Sequence, residues 1–461
     1  MLFHSTRGSD SDKNFEQVLM QGLAKDGGLF MPNNWPKVDI ERLRNFDNFI
    51  DVAKEIVPLF TDSSFDKAEV KKLLDQTWHD FDKKDLINIF ETDESISILE
   101  LFHGPTAAFK DFGLQLAAAF FNKTLQVQNR TAVVFGATSG DTGSAAIDAC
   151  KEFSLIKSFI LIPEGNMSEI QRKQMTTVEK DNVFPILASG TFDDCQDIVK
   201  RGFNERTFLK DNQHLLAVNS INWVRIIGQI CYYFYVSLKI NKLSEPLNFS
   251  VPTGNFGNVF ACYAASKMGM PLSKIVVAVN SNDILDRFFR NNDYSKTKVN
   301  ETISPSMDIS VASNFERLLY DFYLNRDSDS CSKLYSKFPD ESIKINENIW
   351  NKSSDLFISY SSDDISTYKC MQFYYENFNY IMDPHTAVAA DAVKSLKDKL
   401  QGKTIILSTA HPAKFPSALK NAGLSINNIP NKLSEVLNKN EVAVKLSTED
   451  NSIFEYIKEN N

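Results

Sequence analysis

From Ser95 onward the chain alternates short β-rich runs with longer stretches of helical periodicity. The β-rich runs are Ile96–Phe102, Thr131–Gly136, Ser158–Ile162, Asn182–Leu187, Leu215–Asn219, Asn248–Pro252, Ile275–Asn280 and Thr404–Ser408. Between them lie helical patterns such as Phe112–Asn122, Thr142–Glu152, Trp223–Ile240, Asn258–Met268 and Ala413–Asn421. Strands joined through helices lie parallel, and a parallel sheet needs helices on both of its faces. The pattern predicts an α/β fold built on parallel sheet covered on both faces.

The rhythm is absent in two stretches. Residues 1–95 read as mostly helical, with amphipathic runs at Phe15–Leu23, Val52–Phe60 and Lys67–Phe81, and are expected to form a separate N-terminal domain. Residues 291–378 are rich in Asn, Ser, Asp and aromatic side chains and are expected to be an insertion or side lobe. The core then spans 96–290 and 379–461, with a smaller lobe over about 130–245. The closing Ser447–Asn461 reads as a polar surface helix or tail.

Composition narrows what such a chain binds. Its 461 residues allow two or three domains, and 43% hydrophobic with 24% charged residues is ordinary for a globular protein. A formal net charge of -9 gives no global pull toward nucleic acid or an anionic membrane. An anionic ligand must therefore be held by local groups. No apolar run approaches the ~18 residues that span a bilayer, and Met1–Gly22 lacks the basic-then-apolar pattern of a secretory signal. The six cysteines form no C-x-x-C pair and no Cys/His cluster has zinc spacing, so no metal site is expected. Scattered thiols fit the reducing cytoplasm.

In doubly wound sheets, ligands bind beyond the carboxyl ends of the strands. Five predicted strand ends carry Gly, Ser, Thr and Asn: H-G-P-T-A-A-F-K-D-F-G, A-T-S-G-D-T-G-S-A-A, N-S-I-N-W-V-R, P-T-G-N-F-G-N and S-T-A-H-P-A-K-F. One or two such loops are ordinary turn chemistry. Five on one edge point to a single site for a multiply anionic ligand.

Gly254, Asn255, Phe256, Gly257 and Asn258 enter a predicted helix, where glycines allow close approach of a phosphate and the helix end adds positive potential; a plain glycine turn has the same spelling. Thr138, Ser139, Asp141 and Thr142 offer hydroxyls and amides to an anion, or else an N-cap from Asp141 or Thr142. Lys110 stands at a helix start among Ala107, Ala108, Phe109 and Phe112, where dipole and burial disfavour the ammonium form, as a Schiff-base lysine requires. The alternatives are that its amine reaches solvent or pairs with Asp111. Asn219, Ser220 and Arg225 could grip a second phosphate, or Arg225 could meet a buried carboxylate. His103, His385 and His411 lie in strand-end segments and are assigned no proton transfer.

Taken together, these motifs resemble the threonine synthase family. Glu100–Gly113 looks like its cofactor-lysine block; G-A-T-S-G-D-T-G, P-T-G-N-F-G-N and S-T-A-H-P-A-K-F resemble further blocks; Ser5–Gly8 (S-T-R-G) and Gly22–Pro32 fit its longer microbial and fungal branch. The likeness is weak across 291–378. It implies a tryptophan-synthase-beta-like pyridoxal-phosphate fold of type II, with two doubly wound parallel-sheet lobes, and the conversion of O-phospho-L-homoserine and water to L-threonine and phosphate. By the same resemblance, Lys110 forms the imine with the cofactor and acts as the base. Gly254 to Asn258 hold the cofactor phosphate, and Thr409 faces the pyridine nitrogen. Thr138, Ser139, Asp141 and Thr142 surround the substrate, and Asn219, Ser220 and Arg225 bind its phosphate. The expected partner is this small molecule alone, in a cytoplasmic monomer or homodimer.

Overall fold

The computed structural model describes residues 1–138, 140–165, 167–217, 219–426, 429–449 and 451–461. In chain order its strands are β1 (Phe3–Ser5), β2 (Phe30–Pro32), β3 (Asn88–Glu91), β4 (Ile96–Glu100), β5 (Thr131–Ala137), β6 (Ile156–Pro163), β7 (Val183–Ser189), β8 (Gln213–Ala217), β9 (Leu247–Pro252), β10 (Leu272–Val279), β11 (Phe357–Ser361), β12 (Thr404–Ser408) and β13 (Val444–Ser447). A six-stranded sheet runs β11-β10-β9-β12-β4-β3, and a five-stranded sheet runs β13-β7-β6-β5-β8. All pairings in these two sheets are parallel except β3 against β4. The expected α/β architecture is present.

Two long helices join the sheets and bring the site together. Lys110–Gln128 and Trp223–Asn241 are buried along most of their length. They cross at glycines. A Cβ on Gly113 would lie 3.0 Å from Arg225 Cα, and one on Gly228 would lie 2.9 Å from the Phe112 carbonyl oxygen. Backbone contact at this crossing sets the helix bearing Lys110 directly against the one bearing Arg225.

The expected mostly helical N-terminal domain is present and packs tightly on the rest of the chain. Its short helices at Phe15–Gln21, Phe49–Ile56 and Lys67–Thr77 have apolar stripes too small to bury one another. They share one continuous core with the two long helices. Phe15 meets Phe120 at 5.0 Å, Phe49 meets Phe112 at 5.3 Å, and the Trp78 indole donates to the Phe112 carbonyl at 3.1 Å.

Of the two expectations for 291–378, an insertion or a side lobe, the side lobe does not form, because the stretch joins the large sheet. It supplies β11, which extends the large sheet in register from Ile275↔Phe357 to Val279↔Ser361. It also supplies the Asp364–Phe378 helix, whose Cys370, Met371 and Tyr374 join the core on that sheet's face. Polar neighbours hide the five-residue strand.

The C-terminal end is structural. β13 pairs with β7, and the Ser452–Asn460 helix buries Ile453, Phe454 and Ile457 beside Phe135 and Phe208. The smaller lobe expected over about 130–245 is thus completed from the far end of the chain. Among the described residues no helix is long and apolar enough to cross a membrane, and no group of acidic, His or Cys side chains could hold a metal ion.

Candidate active site

Lys110 opens its helix without a side-chain cap. The preceding turn is strained at Ala107 (φ 57°) and is strapped to the segment after β12. The Phe109 amide donates to the Thr409 carbonyl at 2.9 Å, and the His411 amide to the Ala107 carbonyl at 3.0 Å. Thr409 is thereby fixed beside the lysine turn, buried.

Lys110 is half-buried, with part of its side chain accessible. Its Nζ is 3.5 Å from Ser306 Oγ. Burial lowers it from the ordinary 10.5 to about 8, against the pull of Asp141 and helped by Arg225 and Lys414. The alternative pairing of Lys110 with Asp111 does not form. Asp111 turns away to accept the Thr106 amide at 2.9 Å and its hydroxyl at 2.6 Å. Burial, with Asp148 nearby, pushes the Asp111 carboxyl up to about 7.

Asp141 does not cap its helix; Gly140 occupies that position with no side-chain bond. Thr138 performs the task instead, its hydroxyl accepting from the Gly140 and Gly143 amides at 3.2 and 2.9 Å. Asp141 is thereby released to pair with the fully buried Lys414 at 2.7 Å and to accept from Gln171 at 2.9 Å. Burial opposes its charge, yet Lys414 and Lys110 hold the carboxyl well below the usual range. Lys414 also donates to the Thr106 carbonyl at 2.8 Å, tying this wall to the lysine turn. Thr142 borders a small cavity with Thr138 and Gly143. Ser139 lies outside the described residues.

Arg225 is buried, and burial lowers it to about 10. Its guanidinium donates to the Asn219 carbonyl at 2.6 Å, while Nε has no partner and no carboxylate pairs with it among the described residues. The Asn219 side chain accepts from the Ile221 and Asn222 amides at 3.1 Å each, which shapes the turn. Ser220 lies in the same turn.

The 254–258 loop ends on Phe256 in the left-handed region (φ 63°), immediately before the Gly257–Lys267 helix. A Cβ on Gly254 would lie 2.9 Å from the Ser306 carbonyl oxygen, so the loop packs beneath the residue that faces Lys110. The Asn258 side-chain oxygen accepts from both Tyr232 and Tyr233, the latter at 2.7 Å. This fixes the amide so that Nδ2 is the remaining donor, and it has no partner among the described residues.

Several residues near the site carry no signal in the sequence reading. Ser306 and Asn314 fall inside the supposed side lobe, and Gln171 lies in a plain amphipathic helix. Lys414 stands within S-T-A-H-P-A-K-F, where a lysine so close to a strand end was the available signal. The three strand-end histidines are held by near neighbours or burial. His385 Nε2 accepts from the Ser306 amide at 3.1 Å while Nδ1 faces Asp383 at 2.8 Å, which fixes one tautomer. Burial lowers His411 to about 4, and His103 pairs with Glu100 at 2.9 Å.

An amine with a lowered pKa, a glycine loop leading into a helix, and unmatched buried donors fit an aldehyde cofactor with a phosphate. They define a pyridoxal-phosphate enzyme on paired parallel sheets. The family described as pyridoxal-phosphate dependent enzyme matches residues 91–409, and the families described as threonine synthase N terminus and threonine synthase, C-terminal match residues 2–78 and 386–457. The chain is 40% identical to the threonine synthase of Pseudomonas aeruginosa, over 97% of this chain and 96% of that one. It is also 40% identical to the threonine synthase of Saccharomyces cerevisiae, over 91% and 89%. The crystal structure of pyridoxal-phosphate-bound threonine synthase from Brucella melitensis superposes with a TM-score of 0.94 at 35% identity, over 99% of each chain. The chain belongs to the threonine synthase family, whose cofactor is pyridoxal phosphate.

Proposed function

We propose that this cleft converts O-phospho-L-homoserine and water to L-threonine and inorganic phosphate, with Lys110 as both the cofactor-bearing amine and the base. The observation that carries the reading is Arg225: a buried guanidinium with, among the described residues, a spare Nε and no carboxylate beside it. Such a group is costly unless an anion arrives to match it. Arg225 also stands close enough to help lower Lys110, so the anion and the amine share one site.

Gly254, Asn255, Phe256, Gly257 and Asn258 would hold the cofactor phosphate, and Thr409 would face the pyridine nitrogen. A threonine hydroxyl, unlike a carboxylate, leaves that nitrogen without enforced protonation. When bound, the cofactor supplies an electron sink for charge developing on substrate carbon. Lys110 Nζ, lowered toward neutrality, removes the Cα proton and then a Cβ proton of the substrate. Arg225, Asn219 and Ser220 would hold the phosphate, which departs from Cγ carrying one of the two removed protons; the other proton goes to Cγ, and water supplies its hydroxyl to Cβ and its proton to Cα. Asp141 and Thr142 border the substrate. Asp141, already matched by Lys414, orders the wall without adding a free negative charge near the leaving phosphate. Thr138 keeps that loop in shape.

The reading includes a cytoplasmic enzyme, since all six cysteines are buried and free. It also includes a small-molecule substrate as sole partner, in a monomer or homodimer. The test is phosphate release and threonine formation from O-phosphohomoserine, with O-phosphoserine and threonine offered as alternatives. Deamination of threonine without phosphate release would make the chain a dehydratase on the same frame and overturn the proposal.

A further inference from the structure

The S-T-R-G motif at Ser5–Gly8 has no part in the chemistry above, yet each of its residues is engaged. Ser5 donates to Asp26 at 2.8 Å, and Gly8 (φ 95°) turns against Ser328. Thr6 donates to Glu316 at 2.6 Å, and Arg7 clasps the same carboxylate through Nε at 3.0 Å and a terminal nitrogen at 2.8 Å. Glu316 is buried, and this two-pronged pairing is the geometry in which Arg and carboxylate bind most strongly.

Next to Glu316 stands Arg317, fully buried. Its guanidinium donates to the Phe30 carbonyl of β2 at 3.2 Å, to the Ile221 carbonyl at 2.6 Å, and to the Asn314 side-chain oxygen. With that oxygen held by Arg317, the Asn314 amide must present Nδ2 to its other neighbours. Nδ2 donates at 3.1 Å to the Ser220 carbonyl and at 3.1 Å to the Asn255 carbonyl, and the Asn314 backbone amide also reaches the Asn255 carbonyl at 3.0 Å. One amide thus bridges the turn carrying Ser220 and the glycine loop carrying Asn255.

We propose that Asn314 is a positioning residue that sets the spacing of the two anion-binding loops, clamped by Arg317 and, through Glu316, by Thr6 and Arg7. The inference rests on the reading that the 219–225 and 254–258 loops hold the substrate and cofactor phosphates. Its physical content is a coupling: disturbing Asn314 alters both sites at once, whereas a group that touches one ligand alters one.

The test compares Asn314→Asp with Arg225→Ala in the holoenzyme. Asn314→Asp keeps the acceptor for Arg317 and removes the donor that bridges the loops. Two quantities are read: the inhibition constant for inorganic phosphate, and the dissociation constant for pyridoxal phosphate from the absorbance retained on dilution. Asn314→Asp is expected to raise both by about tenfold, the effect of one lost buried hydrogen bond at each loop, while Arg225→Ala raises only the first. A folded Asn314→Asp protein that moves neither constant, or only one, overturns the proposal. Unchanged phosphate inhibition in Arg225→Ala instead removes the phosphate reading beneath it. If Asn314→Asp does not fold, Arg7→Gln loosens Glu316 from outside the cleft; a paired rise of about threefold is expected, and an unpaired or absent change overturns the inference.

Discussion

Lys110 lies between two sets of buried polar groups that differ in how far they are matched. On one side, Asp141 and Lys414 form an ion pair, Gln171 and the Thr106 carbonyl complete it, and the charges cancel. On the other side, among the described residues, Arg225 has charge without a carboxylate and a bare Nε, and Asn258 has an oriented Nδ2 without a partner. Both sets lie deep in the protein, where an unmatched group is expensive. The difference supports the proposal that the matched side is scaffold and that anionic ligands would complete the unmatched side.

The largest effect belongs to the group between the two sides. Lys110→Ala should lower turnover by at least about a thousandfold, because the base is lost, and should abolish borohydride-fixed attachment of the cofactor. Mass spectrometry of the reduced peptide checks this; an adduct elsewhere in the chain would break the whole arrangement.

The matched side is broken by removing one partner. Lys414→Met leaves Asp141 charged and buried, so a loss of about 3–5 kcal/mol of stability is expected. In the double variant Lys414→Met/Asp141→Leu, much of that loss should return, since no uncompensated charge remains. Thermal or denaturant unfolding of the three proteins checks the cycle. If the double variant is no more stable than Lys414→Met, the pair is not acting as a matched unit.

The alternation of strands and helices was readable in the sequence because its period is local, and so were the loops at the strand ends. Lys110, Arg225 and the 254–258 loop announce themselves through their neighbours in the chain. What closes the site around them does not. Ser306 reaches Lys110 across 196 positions and Asn314 reaches Ser220 across 94. Those contacts are tertiary: they depend on the pairing of β10 with β11 and on the placement of the 305–318 segment against the glycine loop. The Asp141 cap was misjudged for a related reason. Local spacing favours capping by Asp or Thr at a helix start, but a buried lysine 273 positions away, counted from Asp141 to Lys414, is a stronger partner.

The unmatched side gives an opposite signature. Arg225→Ala should cost about ten- to hundredfold in kcat/KM, from ~1.5–3 kcal/mol of lost phosphate binding. Arg225→Met in the cofactor-free protein should leave stability unchanged or raise it, by up to about 1–4 kcal/mol, because an unpaired buried charge is replaced by packing. Lost activity with retained stability sharpens the contrast with Lys414; a large loss of both would erase it.

The smallest effect concerns protons. Burial, aided by the Arg225 and Lys414 charges, lowers Lys110 from 10.5 to about 8. Below about 8 both folded and unfolded forms carry this proton. Between about 8 and 10.5 the unfolded chain binds more, so the stability of the cofactor-free protein should rise with pH across that window. Over the same range the amine should become reactive toward a lysine-directed reagent, with a midpoint near 8 at the Lys110 peptide. Arg225→Met removes a positive neighbour and should move the midpoint upward. Asp141→Asn removes a negative one and should move it downward. A midpoint at the ordinary lysine value in all three proteins would show that neither side of the cleft acts on the amine between them.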